Sequence, residues 1–169
     1  SETRQRLLVS GLQPVQFEAL QYLSISNRYS DTPMAVTEYL GQTKGTVSQT
    51  LKVLEKNGLV EKVPDQKDRR VTHLKVTSQG YDLIGSNFPS PAFKQAKGML
   101  NKQEITDMTL GLKKMLGALQ QANNLKTFGL CFSCRHHQKP SENESLCGLT
   151  GETLTREDAQ LICREHENR

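Results

Sequence analysis

Short segments whose apolar residues recur at helical spacing fill the first part of the chain. Residues 4–10 predict the end of a helix that stops at Gly11. Pro14 opens a second helix, in which apolar side chains lie three residues apart along one face. Residues 27–31 are polar and predict a turn. The chain is therefore predicted to begin with helices joined by short connections.

A pair of short helices is predicted next. Thr32 caps a helix that carries Pro33 in its first turn and ends at Gly41. Thr43 caps the following helix, which stops before Gly58, a residue that readily adopts the left-handed backbone of a helix end. Because only a tight turn separates them, these segments predict a helix-turn-helix pair.

The segments that follow predict a hairpin and further helices. Residues 59–63 and 71–77 are rich in β-branched side chains and predict two strands, joined by the wholly polar residues 64–70. A helix is predicted from residue 78 to about residue 86, and another over residues 93–123. The apolar stripe of this last helix is too long for one small lobe to cover, so it predicts a homodimer held by residues 4–9 and 93–123.

The second helix of the pair has two chemically different faces. Val47, Leu51 and Leu54 recur at helical spacing and predict its buried face. The opposite face carries small, hydrogen-bonding or cationic side chains: Gly45, Ser48, Gln49 and Lys52. Acidic residues are absent from residues 42–53, where DNA phosphates would repel them. This face suits the major groove of DNA, although the helix alone fits a solvated amphipathic helix equally well.

The hairpin tip favours the DNA-binding interpretation. Arginine suits the narrow, electronegative minor groove, and the tip is rich in cations; its alternative interpretation is a solvated turn. The free N–H groups at the helix start also suit a phosphate. The predicted DNA contacts are Thr43, Lys44, Gly45, Thr46, Ser48, Gln49, Lys52, Lys67, Asp68, Arg69 and Arg70.

From about Pro14 to Leu83 the chain resembles the MarR family. The resemblance lies in the run TPMAVTEYLGQTKGTVSQTLKVLEKNGLVEK, the polar wing ending DRR, and the closing VTSQG. It implies a winged helix-turn-helix protein, mainly α with a small β-hairpin wing and terminal dimerisation helices. It also implies that Arg70 reaches the minor groove and that Asp68 braces this arginine through a salt bridge.

The function implied by this resemblance is the sequence-specific regulation of transcription, most often repression. Such a dimer binds double-stranded DNA at a pseudo-palindromic operator with half-sites about one helical turn apart. Small-molecule effectors of this family often bind between the dimerisation helices and the DNA-binding lobe. Met99, Met108 and Met115 are candidates for lining such a pocket, but methionines on an amphipathic helix are more often core or interface.

All four cysteines lie close to the C-terminus, which sets this end of the chain apart. Cys131 and Cys134 are separated by two residues; twelve residues separate Cys134 from Cys147, and fifteen separate Cys147 from Cys163. Cysteines confined to one short segment indicate a metal site more than a disulfide scaffold. We therefore expect these four residues to bind one metal centre that folds a small metal-stapled segment containing one helical piece near residues 155–163.

Two kinds of centre fit the four thiols. Two isolated cysteines after a Cys-x2-Cys pair favour an iron–sulfur cluster, with a spacing similar to that of high-potential iron–sulfur proteins. Zinc is the alternative, and His136, His137 and His166 are possible ligands to it. The centre either senses redox state or metal, or is purely structural. Two disulfides or four unligated thiols are the remaining alternatives.

Composition and motifs narrow the class of protein. The 169 residues have a formal net charge of +4, which is compatible with a nucleic-acid partner without demanding one. No His-Glu-x-x-His motif, Gly-rich phosphate loop or nucleophile–base pair is present, so we do not expect an enzyme. The alternative is a metalloprotein that uses its winged helix for protein contacts. We expect a cytoplasmic protein without membrane segments, with a DNA-binding and dimerisation domain over residues 1–126 and a cysteine-rich module over residues 127–169.

Overall fold

The computed structural model describes residues 11–123, 125–142 and 144–169. The helix predicted for residues 4–10, and with it one part of the predicted dimer interface, lies outside these ranges. Within them, no helix is both long enough and apolar enough to cross a membrane.

The described chain folds into a helical lobe with a two-stranded wing, followed by a small three-stranded sheet. The helices are α1 (Pro14–Ile25), α2 (Pro33–Leu40), α3 (Lys44–Lys56), α4 (Ser78–Asn87), α5 (Pro91–Gly98) and α6 (Lys102–Ala122). The wing pairs β1 (Val60–Pro64) with β2 (Thr72–Val76), and the second sheet has the order β3 (His137–Ser141), β4 (Glu144–Cys147), β5 (Thr153–Leu154). Both sheets are antiparallel.

The start and stop signals of the helix-turn-helix are confirmed. The hydroxyl of Thr32 accepts a hydrogen bond from the N–H of Ala35, and Gly41 ends α2 in the left-handed region with φ 60°. Thr43 caps α3 in the same way. Gly58 has φ 67° and turns the chain from α3 into the wing. Local sequence therefore determines where both helices begin and end.

Two predictions about the second half of the chain were wrong. The helix predicted over residues 93–123 is two helices, because α5 ends at Gly98 and Asn101 caps a new helix with Glu104 as its capping-box partner. The helical piece predicted near residues 155–163 is a single 3-10 turn, Asp158–Gln160. The three short strands were not predicted, since strands of two to five residues leave almost no periodic pattern.

One apolar core holds the winged-helix lobe together. It joins α1, α2, α3 and the wing, and its fully buried side chains include Leu20, Tyr22, Val36, Leu54 and Leu74. The face of α3 that was predicted to be buried lies in this core, as do the base of β1 and the centre of β2. Helix α3 is therefore fixed in direction, with its other face turned outward.

The C-terminal segment is paired with this lobe by backbone hydrogen bonds. Ile162 donates to the carbonyl of Ile25 at 2.8 Å and accepts from the N–H of Asn27 at 2.9 Å. On the other side of the same short strand, Cys131 donates to Leu161 at 3.0 Å, and Cys163 donates to the carbonyl of residue 129 at 2.9 Å. We call this three-strand junction of residues 25–27, 129–131 and 161–163 the seam. It anchors the cysteine-bearing segment to the end of α1.

A histidine ties the base of the wing to the turn after α1. The imidazole of His73 in β2 lies between two carboxylates, 2.6 Å from Asp31 and 3.0 Å from Asp65. Lys75 also donates to Asp31, at 2.6 Å. Burial and the Lys75 charge disfavour the protonated ring, but the two carboxylates outweigh them, so the pKa of His73 is raised above 6.5.

The stability of the chain should therefore depend on pH through His73. The pKa of His73 is higher in the folded chain than in the unfolded chain, so its stabilising contribution is fully present below the unfolded pKa of about 6.5. That contribution is lost as the pH rises through the pKa of the folded chain. We predict that His73→Gln lowers the free energy of unfolding by about 1.5 to 3 kcal/mol at acidic pH, the range of hydrogen bonds to charged groups. Urea unfolding from pH 5.5 to 8.5 measures this difference, which should shrink as the pH rises. A pH-independent difference would contradict the assignment.

Candidate nucleic-acid interface

Helix α3 presents a continuous polar face to solvent. Its buried side is Val47, Leu51 and Leu54, each at most 3% exposed. All seven predicted contacts on this helix and its cap are exposed: Thr43, Lys44, Gly45, Thr46, Ser48, Gln49 and Lys52. The hydroxyl of Thr43 is already engaged in capping, so fewer of its hydrogen-bonding groups are free than the sequence alone suggests.

No acidic side chain lies along this face, so its charged groups are all cationic. Lys44 and Lys52 flank Ser48 within one turn on either side. The first acidic residue on the helix is Glu55, which forms an ion pair with Lys62 of the wing at 2.5 Å. The outward face of α3 is therefore cationic and rich in hydrogen-bonding groups, as recognition of a duplex requires.

The tip of the wing is shaped by two aspartates. Asp65 accepts hydrogen bonds from the N–H groups of Lys67 and Asp68, at 2.7 and 2.6 Å. These backbone bonds, with the nearby His73, lower the pKa of Asp65 to about 2, so it stays ionised. Asp68 in turn binds Arg70 through two guanidinium nitrogens, at 2.9 and 2.7 Å.

This second contact is the salt bridge that the MarR resemblance implies. The Arg70 side chain remains 90% exposed while its guanidinium is held by Asp68. The pair lowers the pKa of the Asp68 carboxyl, through the side chain first and the backbone of Arg70 second. Arg69 is exposed beside it. The wing therefore offers an oriented arginine at its tip.

One predicted DNA contact has an unexpected partner. The ammonium group of Lys67 lies 2.6 Å from the carboxylate of Glu152, in the turn between β4 and β5. Glu152 also accepts from the hydroxyl of Tyr29 at 2.8 Å and lies 3.6 Å from Arg28. Sequence reasoning missed Glu152, because a residue 85 positions away gives no local signal that it meets the wing.

The four cysteines gather beside the seam. Cys131, Cys134 and Cys163 are buried, Cys147 is half-buried, and none forms a disulfide. Burial, followed by the charges of the other three thiols, raises the pKa of Cys131 to about 12. Cys131 and Cys163 pack with Leu154, and Tyr29 and Cys147 lie against this group. The structure thus brings the four predicted ligands into one neighbourhood.

The arrangement does not form a site for a single ion. Across residues 11–123, 125–142 and 144–169, no group of three His, Cys, Asp or Glu side chains is positioned to hold one metal ion. Both ring nitrogens of His166 are engaged, with Thr127 at 2.7 Å and Ser133 at 3.0 Å. His136 lies 3.3 Å from Glu167.

Two buried nitrogens near the cysteines have no hydrogen-bond partner among the described residues. These are Nδ2 of Asn27, in the turn after α1, and Nε2 of His137, which pairs across the sheet with Cys147. Burial raises the pKa of the Cys163 thiol, and the polar groups of Asn27, Ser30 and Glu165 that face the sulfur oppose this rise. Asn27 itself is completely buried.

Helices α5 and α6 leave a long apolar surface uncovered. Neither helix has a buried residue, and Met99 is 82% exposed. Met108 and Met115 are 55% and 62% exposed, so they do not belong to the core of this chain, and their place in a dimer interface stays a prediction. The other exposed apolar side chains of these helices and of the connection between them are Phe93, Leu100, Leu110, Leu112, Leu116 and Leu119.

Comparisons with known proteins identify similar sequences and folds. Residues 10–71 match the sequence model of the MarR family. The transcriptional repressor MprA of Escherichia coli strain K12 is 26% identical over 123 residues, which are 71% of this chain and 70% of the relative.

The similar solved structures include a mutant of MepR from a multidrug-resistant S. aureus clinical isolate. It shares 26% identity at a TM-score of 0.55, over 70% of this chain and 88% of the other. The S. aureus MepR–DNA complex shares 28% identity at a TM-score of 0.51, over 69% and 87%. Residues 10–71 thus resemble the MarR family in sequence, and the helix-turn-helix and two-stranded wing of this chain resemble the fold of the solved MepR structures.

Proposed function

We propose that the chain binds double-stranded DNA in a sequence-specific manner and represses transcription. The observation that carries this proposal is the outward face of α3, which has hydrogen-bonding and cationic side chains and no acid, beside a wing with an oriented arginine. MprA is named a transcriptional repressor, and MepR has been solved with DNA.

Each group on this surface has a distinct task in the proposed complex. Ser48 and Gln49 contact base edges in the major groove, where hydroxyl and amide groups can donate and accept. Lys52 neutralises a phosphate at the edge of the groove. Arg70 enters the minor groove, and its bond to Asp68 fixes the guanidinium before DNA arrives. The N-terminus of α3 offers its free N–H groups to a phosphate.

The same proposal includes a homodimer. Many large apolar side chains on α5 and α6 are exposed in the single chain, and exposed apolar patches commonly mark protein interfaces. An isologous contact between two copies buries this surface and presents two α3 helices to a pseudo-palindromic operator. Two chains should therefore bind each operator duplex, a stoichiometry that a binding titration measures directly.

Removing one cation from each DNA-contacting element tests the docking. We predict that Arg70→Ala weakens binding about five- to thirtyfold, which corresponds to about 1 to 2 kcal/mol. Lys52→Ala should weaken binding to all sequences and flatten the salt dependence by about one unit, because one fewer counterion is released. Fluorescence anisotropy on a duplex selected from a random-sequence pool measures both effects.

The matched control is Lys139→Ala, which removes an exposed charge from β3, a strand outside the proposed DNA contacts and the proposed dimer helices. It should bind the selected duplex with the affinity and salt slope of the wild type. If Lys52→Ala and Arg70→Ala also behave as wild type, the proposed docking is wrong.

We further propose that the cysteine-bearing segment is the sensory part of the regulator. Its link to the DNA-binding surface is the ion pair between Glu152 and Lys67. In the structure this carboxylate neutralises a wing cation and adds a negative charge beside the DNA-binding surface. Movement of the segment would free Lys67 for a phosphate, so a change at the cysteines alters DNA affinity through charge.

Glu152→Gln should reproduce the state in which Lys67 of the wing is released from its ion pair. The Lys67 side chain is 82% exposed, so its ion pair with Glu152 is weak and screened by salt. We therefore predict DNA binding about two- to fivefold tighter, with a salt dependence steeper by up to about one unit. Glu157→Gln makes the same charge change at an exposed position of the same segment and should have a smaller effect. Unchanged affinity in Glu152→Gln, or an equal gain in Glu157→Gln, would exclude this link.

A further inference from the structure

We propose that Cys131, Cys134, Cys147 and Cys163 bind one iron–sulfur cluster, in a site completed by the turn between α1 and α2. This inference goes beyond DNA binding and does not depend on it. Three observations support it: the gathering of the thiols, the unpartnered polar groups around them, and the small apolar core of the segment.

The thiols are gathered although no covalent bond links them. Three are buried in the chain and the fourth is half-buried, and all are free. They come from three places: the turn at 131–134, the end of β4, and the seam strand that carries Cys163. Residues so far apart in sequence converge here because the seam and the small sheet fix their backbones. The fold thereby brings thiols from three separate places in the chain into one neighbourhood.

Two buried nitrogens close to the thiols lack an acceptor, which a bound cluster would supply. Nδ2 of Asn27 is buried without a partner, and Asn27 faces the sulfur of Cys163. A buried amide nitrogen without an acceptor is costly, and thiolates and cluster sulfides are acceptors. Nε2 of His137 is likewise buried and unpartnered next to Cys147. Hydrogen bonds to cluster sulfurs are one of the means by which proteins adjust such centres.

Apart from its contacts with the winged-helix lobe, the segment has little of its own to hold it folded. Among the described residues after 124, the buried apolar side chains other than cysteines are Leu154 and Ala159. Strands of two to five residues and one small apolar cluster do not supply the burial that a stable fold needs. A metal centre supplies this energy in small domains.

The spacing of the cysteines favours a cluster over a single zinc ion. A zinc site needs its thiolates within about 2.3 Å of one point. In a four-iron cluster each cysteine binds its own iron, so the sulfurs need not meet at one point. The isolated third and fourth cysteines also differ from the paired ligands of zinc knuckles.

Metal analysis of the full-length chain, purified without oxygen and then reconstituted with ferrous iron and sulfide, tests the proposal. We expect about four iron and four acid-labile sulfide per chain, with broad visible absorption. Cys147→Ser removes the half-buried ligand and should lose most of the iron. Ser141→Ala changes an exposed residue of the same sheet and should keep the full complement.

Two results would overturn the proposal. One is a colourless protein that holds one zinc and takes up no iron and sulfide on reconstitution. The other is a chain without metal whose four thiols are all titratable. Should Cys147→Ser misfold, the iron, sulfide and zinc content of the wild-type chain still decides between these outcomes. The assay contains no DNA, so its failure is distinct from a failure of DNA binding.

Discussion

The pairing of Ile162 with the end of α1 is the contact on which the rest of the arrangement depends. Two backbone hydrogen bonds, to Ile25 and from Asn27, fix a single strand of the C-terminal segment against the winged-helix lobe. Arg164 follows directly and forms a two-pronged contact with Glu38 of α2, at 2.6 and 2.8 Å. The aromatic ring of Phe128 packs edge-on against Tyr39, with ring centroids 5.3 Å apart. These contacts make the segment part of the lobe.

The seam also determines which polar groups meet. It sets Cys163 beside Asn27 and Ser30, and the N–H of Arg164 donates to the Ser30 hydroxyl at 2.7 Å. The same placement carries Glu152 to the wing, where it opposes a cationic surface. The turn after α1 therefore contacts both regions: Asp31 binds His73 of the wing, and Asn27 faces the sulfur of Cys163. A structural change at the cysteines is therefore separated from the wing by only the few residues of this turn.

The sequence predicted the winged helix well because its signals are local. Thr32, Gly41, Thr43 and Gly58 each act on the backbone within a few residues, and the structure confirms all four. The break at Asn101 was missed because a continuous apolar stripe conceals a cap in its middle. Neither the partner of Lys67 nor the unpartnered amide of Asn27 was predictable, since both arise from the seam, which joins residues far apart in the chain. The clustering of the cysteines was visible in sequence, but their meeting with the turn after α1 was not.

The central claim is that the cysteine-bearing segment and the turn that supports the wing form one cooperative unit. Amide hydrogen exchange in the wild-type chain and in Cys163→Ala tests it directly. The amides of Asn27, Ile162 and Leu74 all donate to backbone carbonyls of this region, Leu74 to Asp31 at 2.7 Å. The account predicts that all three lose protection by a similar factor in the variant, because one opening event exposes them together. Loss of protection confined to residues 129–169, with Asn27 and Leu74 unchanged, would contradict it.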